Sequence, residues 1–246
     1  MKYVTTVSPT ASDSPGTLSP VTLLPRVRAT KAYDMAVRIF GSAWFLILAL
    51  AAGLKVLGAA RTMSIADVTP AGWPALLASL SLFLFYLALG WLILHRPPPV
   101  AQTVGILPSL TAFLGTYFPW TIVLFAPGAA SAGQDIASAA LLLTGFALMV
   151  VVIYYLGRCF SIVPQARALV RTGPYAIVRH PLYLVEEIAL LGTLLQVLSP
   201  VTLALFLAHG ALQMRRMFYE EGILRHAFPE YDGYARTTAR LIPYVW

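Results

Sequence analysis

A single cysteine, Cys159, stands among 246 residues, which excludes an intramolecular disulfide and any thiolate cluster able to hold a metal. The four histidines, at 95, 180, 209 and 226, show none of the spacings of zinc sites. Charge is scarce as well: Asp, Glu, Lys and Arg make up 11% of the chain, against roughly 25% in an ordinary soluble domain. A glycine-rich phosphate loop of the dinucleotide-binding type is also missing, so a soluble nucleotide-binding fold finds no support. What the chain has instead is apolar surface, with 59% hydrophobic residues and a mean hydropathy of +0.76. This composition predicts an all-α, polytopic membrane bundle. The net charge of +7 suits a surface of anionic lipid, and no nucleic-acid partner is expected.

The apolar runs set the expected topology. The first 25 residues hold nine Ser or Thr and four Pro, and residues 1–33 are expected to be a flexible cytoplasmic tail. Uncharged runs at Ile39–Leu54, Trp73–Leu94, Thr103–Phe125 and Ile136–Gly157 are each long enough for a helix across a hydrocarbon core of about 30 Å. Pro108 and Pro119 are expected to kink the third. Residues 34–157 thus read as a four-helix membrane region, and 158–246 as the functional region. In the latter, Ile188–Leu198 and Val201–Met214 flank Ser199-Pro200. Positive charge collects in cytoplasmic connections. Arg26, Arg28, Lys31 and Arg38 precede the first run, Arg158, Arg167, Arg171 and Arg179 follow the fourth, and Arg215, Arg216, Arg225, Arg236 and Arg240 follow the last. Only a helical hairpin turning near Ser199-Pro200 puts all three groups on one side. Six membrane helices, with both termini and the functional loops cytoplasmic, are the expectation.

That topology brings two polar clusters to one face. The first is Gly173-Pro174-Tyr175 followed by Arg179-His180-Pro181-Leu182-Tyr183. The second is Glu220-Glu221…Leu224, with Phe228, Tyr231, Tyr234, Arg240 and Ile242-Pro243 beyond it. Arg216 and Glu220, four apart, share a helix face, while Glu221 lies about 100° away. Each feature has a plain structural reading. Arg216 and Glu220 would be a solvated pair, His180 a residue held out of helical geometry by Pro181, and the tyrosine-rich tail an interfacial helix. Glu186 and Glu187 would favour a helix N-terminus, and at least one is expected to face the protein interior. His209 and Gln213 are expected to bond a neighbouring helix.

Taken together and in this order, the two clusters resemble those of the isoprenylcysteine carboxyl methyltransferase family of integral-membrane enzymes, with phospholipid methyltransferases more distant. The resemblance covers roughly residues 157–243. It implies S-adenosyl-L-methionine as cofactor, bound by Arg167, Ala168, Leu169, Val170, Tyr175, His180, Pro181, Leu182 and Tyr183. It further implies that Glu220 closes the cofactor site and that Arg216 faces a lipophilic substrate, the two carrying catalysis without a metal. The first four helices do not align with prenylcysteine-binding members, so the acceptor, whether carboxylate, amine or thiol, stays open, as does the oligomeric state. A carboxylate needs no base, and Arg216 could grip it as a planar fork. Two other classes remain: a membrane reductase of the sterol reductase type using NADPH, and a non-enzymatic scaffold or transporter.

Overall fold

A computed structural model describes residues 31–62, 72–102, 106–125 and 131–243, and they are predominantly helical. The expected tail falls largely outside these residues, and the first helix, α1 (Lys31–Thr62), begins ahead of residue 34. There follow α2 (Gly72–His95), α3 (Ile106–Tyr117), the single-turn α4 (Trp120–Val123), α5 (Ala132–Leu156), α6 (Pro181–Gln196), α7 (Pro200–Ala227) and α8 (Tyr231–Thr237). Arg38–Gly58 and Ala132–Cys159 are long and apolar enough to cross a bilayer, and Ser79–His95 is a shorter apolar helix. Only 22% and 28% of the most apolar stretch of those two is buried, whereas the core helix of a soluble protein is buried along most of its length. Phe40, 76% exposed, and Leu50, 63% exposed, belong to the apolar surface this leaves, of a kind that marks contact with lipid or protein.

Helix boundaries follow local chemistry. A capping box in which Ser131 and Gln134 bond each other's backbone opens α5, and Ser199 and Thr202 do the same for α7, satisfying amide donors left over at a helix start. Pro181 and Pro200 occupy the first turn of their helices, where the missing N–H costs nothing. The turn of the α6–α7 hairpin lies at Ser199-Pro200, as expected. Also as expected, α7 continues past Met214; it runs for 28 residues, about 42 Å, and carries Arg216, Glu220 and Glu221 on the same rod as the apolar leg. The third apolar run differs. Pro108 lies in the first turn of α3, where it bends nothing, and Pro119 divides the run into α3 and α4. The Thr121 hydroxyl donates to Phe118 O at 2.7 Å, occupying a carbonyl at that break.

Small residues let α5 and α6 approach closely. A Cβ on Gly145 would lie 2.8 Å from the backbone nitrogen of Ala189, and one on Gly192 would lie 3.0 Å from Ser138 O. The Ser138 hydroxyl donates to Gly192 O at 2.7 Å across the same contact. The largest apolar core joins Phe45, Phe85, Leu89, Met149 and Ile153 of the early helices to Val170, Tyr175, Leu182 and Val185. The functional loops are thereby packed on the early helices. A two-residue antiparallel ladder, β1 (Ala101–Gln102) with β2 (Gln165–Ala166), ties the segment after α2 to the loop before Tyr175. It is too short to leave an alternating pattern in the sequence.

Candidate active site

The loop from Phe160 to His180 carries little regular structure, and buried contacts hold it instead. Gly173 has φ +61° and a Cβ there would lie 2.4 Å from the Tyr155 ring, so only glycine makes this turn without strain. It leads into a short 3₁₀ turn, Gly173–Ala176, that buries Tyr175. The Tyr234 hydroxyl donates to Tyr175 O at 2.6 Å. Burial pushes the Tyr175 phenol well above its ordinary pKa, so it stays protonated.

The centre of the arrangement is Glu221. Its carboxylate is 2% exposed and accepts from Arg179 Nε at 3.0 Å, His180 Nε2 at 3.2 Å, Arg240 Nε at 2.8 Å and Arg240 NH2 at 3.1 Å. Burial alone would raise the pKa of this carboxyl. Hydrogen bonds from His180 and Arg240, with the charges of His180 and Arg179, outweigh it and hold the group far below the usual carboxylate range. The backbone follows the same clasp: Arg179 N donates to Ala239 O at 2.8 Å and His180 N to Arg240 O at 3.1 Å. Three distant segments, the loop, α7 and the end of the described chain, thus meet on one buried charge.

Glu220, one residue earlier, faces differently. Its side chain is 25% exposed and accepts a short hydrogen bond from the Tyr183 hydroxyl. The rings of His180 and Tyr183 stack at 5.6 Å, and the Arg216 guanidinium lies 4.7 Å from the centre of the Tyr183 ring on α6. Arg216 and Glu220 are therefore not a solvated pair; Arg216 is 5% exposed and the two meet through Tyr183. Arg216 NH1 donates to Gln213 Oε1 at 2.8 Å, and Gln213 Nε2 donates to Glu186 Oε2 at 2.7 Å. His209 Nε2 lies 3.0 Å from Gly115 O, and its Nδ1 lies 2.8 Å from Glu187 Oε1. His209 and Gln213 thus bond neighbouring helices, and Glu186 and Glu187 both point inward. Gly115 leaves room for the arginine, since a Cβ there would lie 2.5 Å from Arg216 Cδ.

These groups surround one cavity of about 480 Å³, within the range of small-molecule sites. Arg167, Ala168, Leu169, Val170, Tyr175, His180, Leu182, Tyr183, Arg216 and Glu220 all line it. Pro181 is not in its wall and acts by starting α6. Arg167 is anchored by donating from Nε to Pro97 O at 2.9 Å and from NH2 to Gln165 Oε1 at 2.7 Å. The cavity continues among Trp44, Phe45, Leu48, Phe85 and Met149, so a polar end adjoins an apolar one. Tyr231 and Tyr234, 1% and 8% exposed, are packed with Leu169, Ile223 and Phe228 rather than spread on an interface. Among the described residues no group of three or more His, Cys, Asp or Glu side chains is placed to hold a metal ion. Sequence reasoning missed Glu221 as the hub, Arg179 and Arg240 as its partners, and Glu186 as a member of the wall. The doubled acidic pairs at 186–187 and 220–221 were the available signal.

Comparison with known proteins bears on the same stretch. The family model described as phospholipid methyltransferase matches residues 134–231, somewhat less than half of the chain. The chain is similar to the nickel-cobalt-cadmium resistance protein NccN of Alcaligenes xylosoxydans xylosoxydans, 37% identical over 81 residues, 32% of this chain and 38% of that protein. It is also similar to the cobalt-zinc-cadmium resistance protein CzcN of Cupriavidus metallidurans, 38% identical over 76 residues, 30% of this chain and 35% of that protein. The chain thus spans little more than a third of the length of the curated relatives it matches. The matched stretch runs from α5 through the Tyr175 loop and the hairpin to Tyr231, and with two helices able to cross a bilayer it supports a membrane methyltransferase.

Proposed function

We propose that this protein is an integral-membrane methyltransferase that uses S-adenosyl-L-methionine and acts on a lipophilic acceptor, with six membrane helices and both termini cytoplasmic. The observation that carries this reading is the single cavity uniting Tyr175, His180, Tyr183, Arg216 and Glu220 from two distant motifs. The wall suits a sulfonium cofactor: Glu220 offers an incompletely buried carboxylate, Tyr183 an aromatic face, and Leu169, Val170 and Leu182 an apolar bed for a flat ring. When bound, the cofactor supplies a methyl group activated by its positive sulfur.

The chain's own residues position rather than transform. Glu220 complements positive charge, and the Tyr183 hydroxyl fixes the carboxylate's orientation. Glu221, Arg179 and Arg240 hold the loop against α7, so the two walls keep one separation. Arg216 presents a cation between the polar and apolar ends of the cavity, where the acceptor's reacting group would sit. Holding two reactants in line at a boundary that excludes water supplies much of the acceleration of a displacement. The resemblance points to a carboxylate acceptor in an isoprenylcysteine-like compound, which requires no base. An acceptor that carries its own proton requires one within reach.

Calorimetric titration of the purified protein with S-adenosyl-L-methionine and separately with NADPH tests this proposal. Saturable binding of the former alone is expected. Binding of NADPH alone would overturn the proposal in favour of a reductase, and binding of neither would remove the enzyme reading. The names of the two relatives refer to metal resistance in those proteins, and no metal role is carried over here.

A further inference from the structure

A half-buried carboxylate in the cavity wall has no part in the mechanism above. Glu186 lies three residues after Tyr183, on the same face of α6, and lines the same cavity. Its Oε2 accepts from Gln213, which leaves Oε1 for the cavity. On the far side of that amide, Gln213 Oε1 holds Arg216 NH1, while Arg216 Nε is buried with no partner. One glutamine side chain therefore spaces a carboxylate from a guanidinium, each with one atom uncommitted. The titratable and charged groups facing Glu186 are Arg216 and His209 on α7 and Glu187 on its own helix, with Tyr183 and Tyr175 in the wall.

For an acceptor that is already an anion this carboxylate is a liability, because it repels the nucleophile and takes up no proton. For an acceptor that must lose a proton and become an anion, both groups have work to do. We propose that Glu186 is the general base for a protic lipophilic acceptor, a thiol or phenol, whose conjugate anion is held by Arg216. This inference rests on the methyl-transfer reading and replaces the carboxylate acceptor that the resemblance suggests with a protic one. In the step, the acceptor's S–H or O–H bond breaks, the proton passing to Glu186 Oε1 and the electron pair staying on the acceptor atom. That pair forms the new bond to the methyl carbon as the sulfonium carbon–sulfur bond breaks, its electrons going to the departing sulfur. A methyl thioether or ether, neutral S-adenosylhomocysteine and one proton, later shed to water, account for all atoms and charge. An amine fits less well, since its cationic form would be repelled by Arg216 and its methylation passes through no anion.

The test uses the full-length protein in detergent with 4-octylthiophenol, 4-octylphenol, 4-octylaniline and 4-octylbenzoate, matched in tail and differing in reacting group. The first readout needs no turnover: thiophenolate absorbs at longer wavelength than thiophenol, so a difference spectrum reports proton transfer on binding. Below the pKa of the free thiol, the wild type with S-adenosylhomocysteine should show bound thiolate, and Glu186→Gln, which keeps an acceptor for Gln213, should show at least tenfold less. The second readout is the pH profile of methyl transfer. Glu186→Gln turnover should rise about tenfold per pH unit and approach wild type above the thiol's pKa, whereas Glu186→Asp should retain the wild-type profile. A uniform loss at all pH, or no bound thiolate in the wild type, would overturn the base assignment. Preference for benzoate or aniline, undiminished in Glu186→Gln, would overturn it too. Binding of S-adenosylhomocysteine, measured on the wild type, separates the two readings: if it binds and no thiolate forms, only the base fails, and if it does not bind, both fail.

Discussion

Replacing Glu221 with glutamine tests whether one buried charge holds the site together. The substitution keeps size and one acceptor oxygen but removes the negative charge that Arg179, His180 and Arg240 share at 2.8 to 3.2 Å. Breaking a buried ion pair costs about 3–5 kcal/mol. Arg179 and Arg240 keep side-chain exposures of 10% and 16%, so water offsets part of the loss, and about 2–4 kcal/mol remains. At about 2–4 °C per kcal/mol for a chain of this size, the unfolding midpoint should fall by about 5–15 °C. The pH dependence has a definite sign. The folded-state pKa of Glu221 lies below its unfolded value, so the unfolded chain binds more protons. Its contribution is complete above about pH 4.3 and is lost as pH falls through the folded value. The part of the gap between wild type and variant that the carboxylate's own titration sets should therefore hold down to about pH 5 and close only in strong acid. Thermal unfolding in detergent, followed by tryptophan fluorescence across this range, measures it. A midpoint within about 1 °C of wild type at neutral pH would refute the reasoning, because no buried carboxylate with these partners is dispensable.

The neighbouring carboxylate should behave in the opposite way: Glu220→Gln should leave the unfolding midpoint nearly unchanged while weakening S-adenosyl-L-methionine binding about tenfold or more by calorimetry. Arg216→Lys keeps the charge but loses the planar fork, so turnover should fall roughly ten- to hundredfold with cofactor binding retained, in a methyl-transfer assay. Gly145→Ala drives a methyl group toward the Ala189 backbone and should cost about 1–3 kcal/mol of stability, read as a lowered unfolding midpoint. With Cys159 removed, a cysteine at Ser131 should react with an impermeant thiol reagent in sealed cells and one at Thr237 only after permeabilisation; the same response at both would remove the six-span topology.

The hairpin was legible because positive charge on both sides of the Ser199-Pro200 break requires the chain to return to one face, and in the structure the Ser199 cap and the first-turn Pro200 start α7 there. The convergence of the Tyr175 loop with α7 was legible as well, since charge assigned both to one face and the motifs named the polar part of the cavity wall. Glu221 was not. Its partners lie 41 or 42 residues before it and 19 after it, and helical periodicity says only that it faces away from Arg216. That loop and chain end would fold back to meet it follows from tertiary packing. The same limit applies to Tyr231 and Tyr234, whose spacing fits an interfacial helix until Leu169 and Phe228 are known to cover them. The break at Pro119 could be read as a kink, because a proline fixes where a helix loses a bond but not whether the axis resumes.

The backbone clasp of Arg179 and His180 onto Ala239 and Arg240 has a consequence for biosynthesis. The ribosome makes His180 about sixty residues before Arg240, and during that interval the loop has no second edge to bind. Glu221 is made when Arg179 and His180 are present and Arg240 is not, and the wall carrying Tyr175 is not yet fastened to Tyr234. Cavity closure is thus postponed until residues 239 and 240 have been made. A nascent chain that stalls before residue 239 would have its helices and no closed site, and quality-control proteases would meet an exposed loop rather than a finished fold.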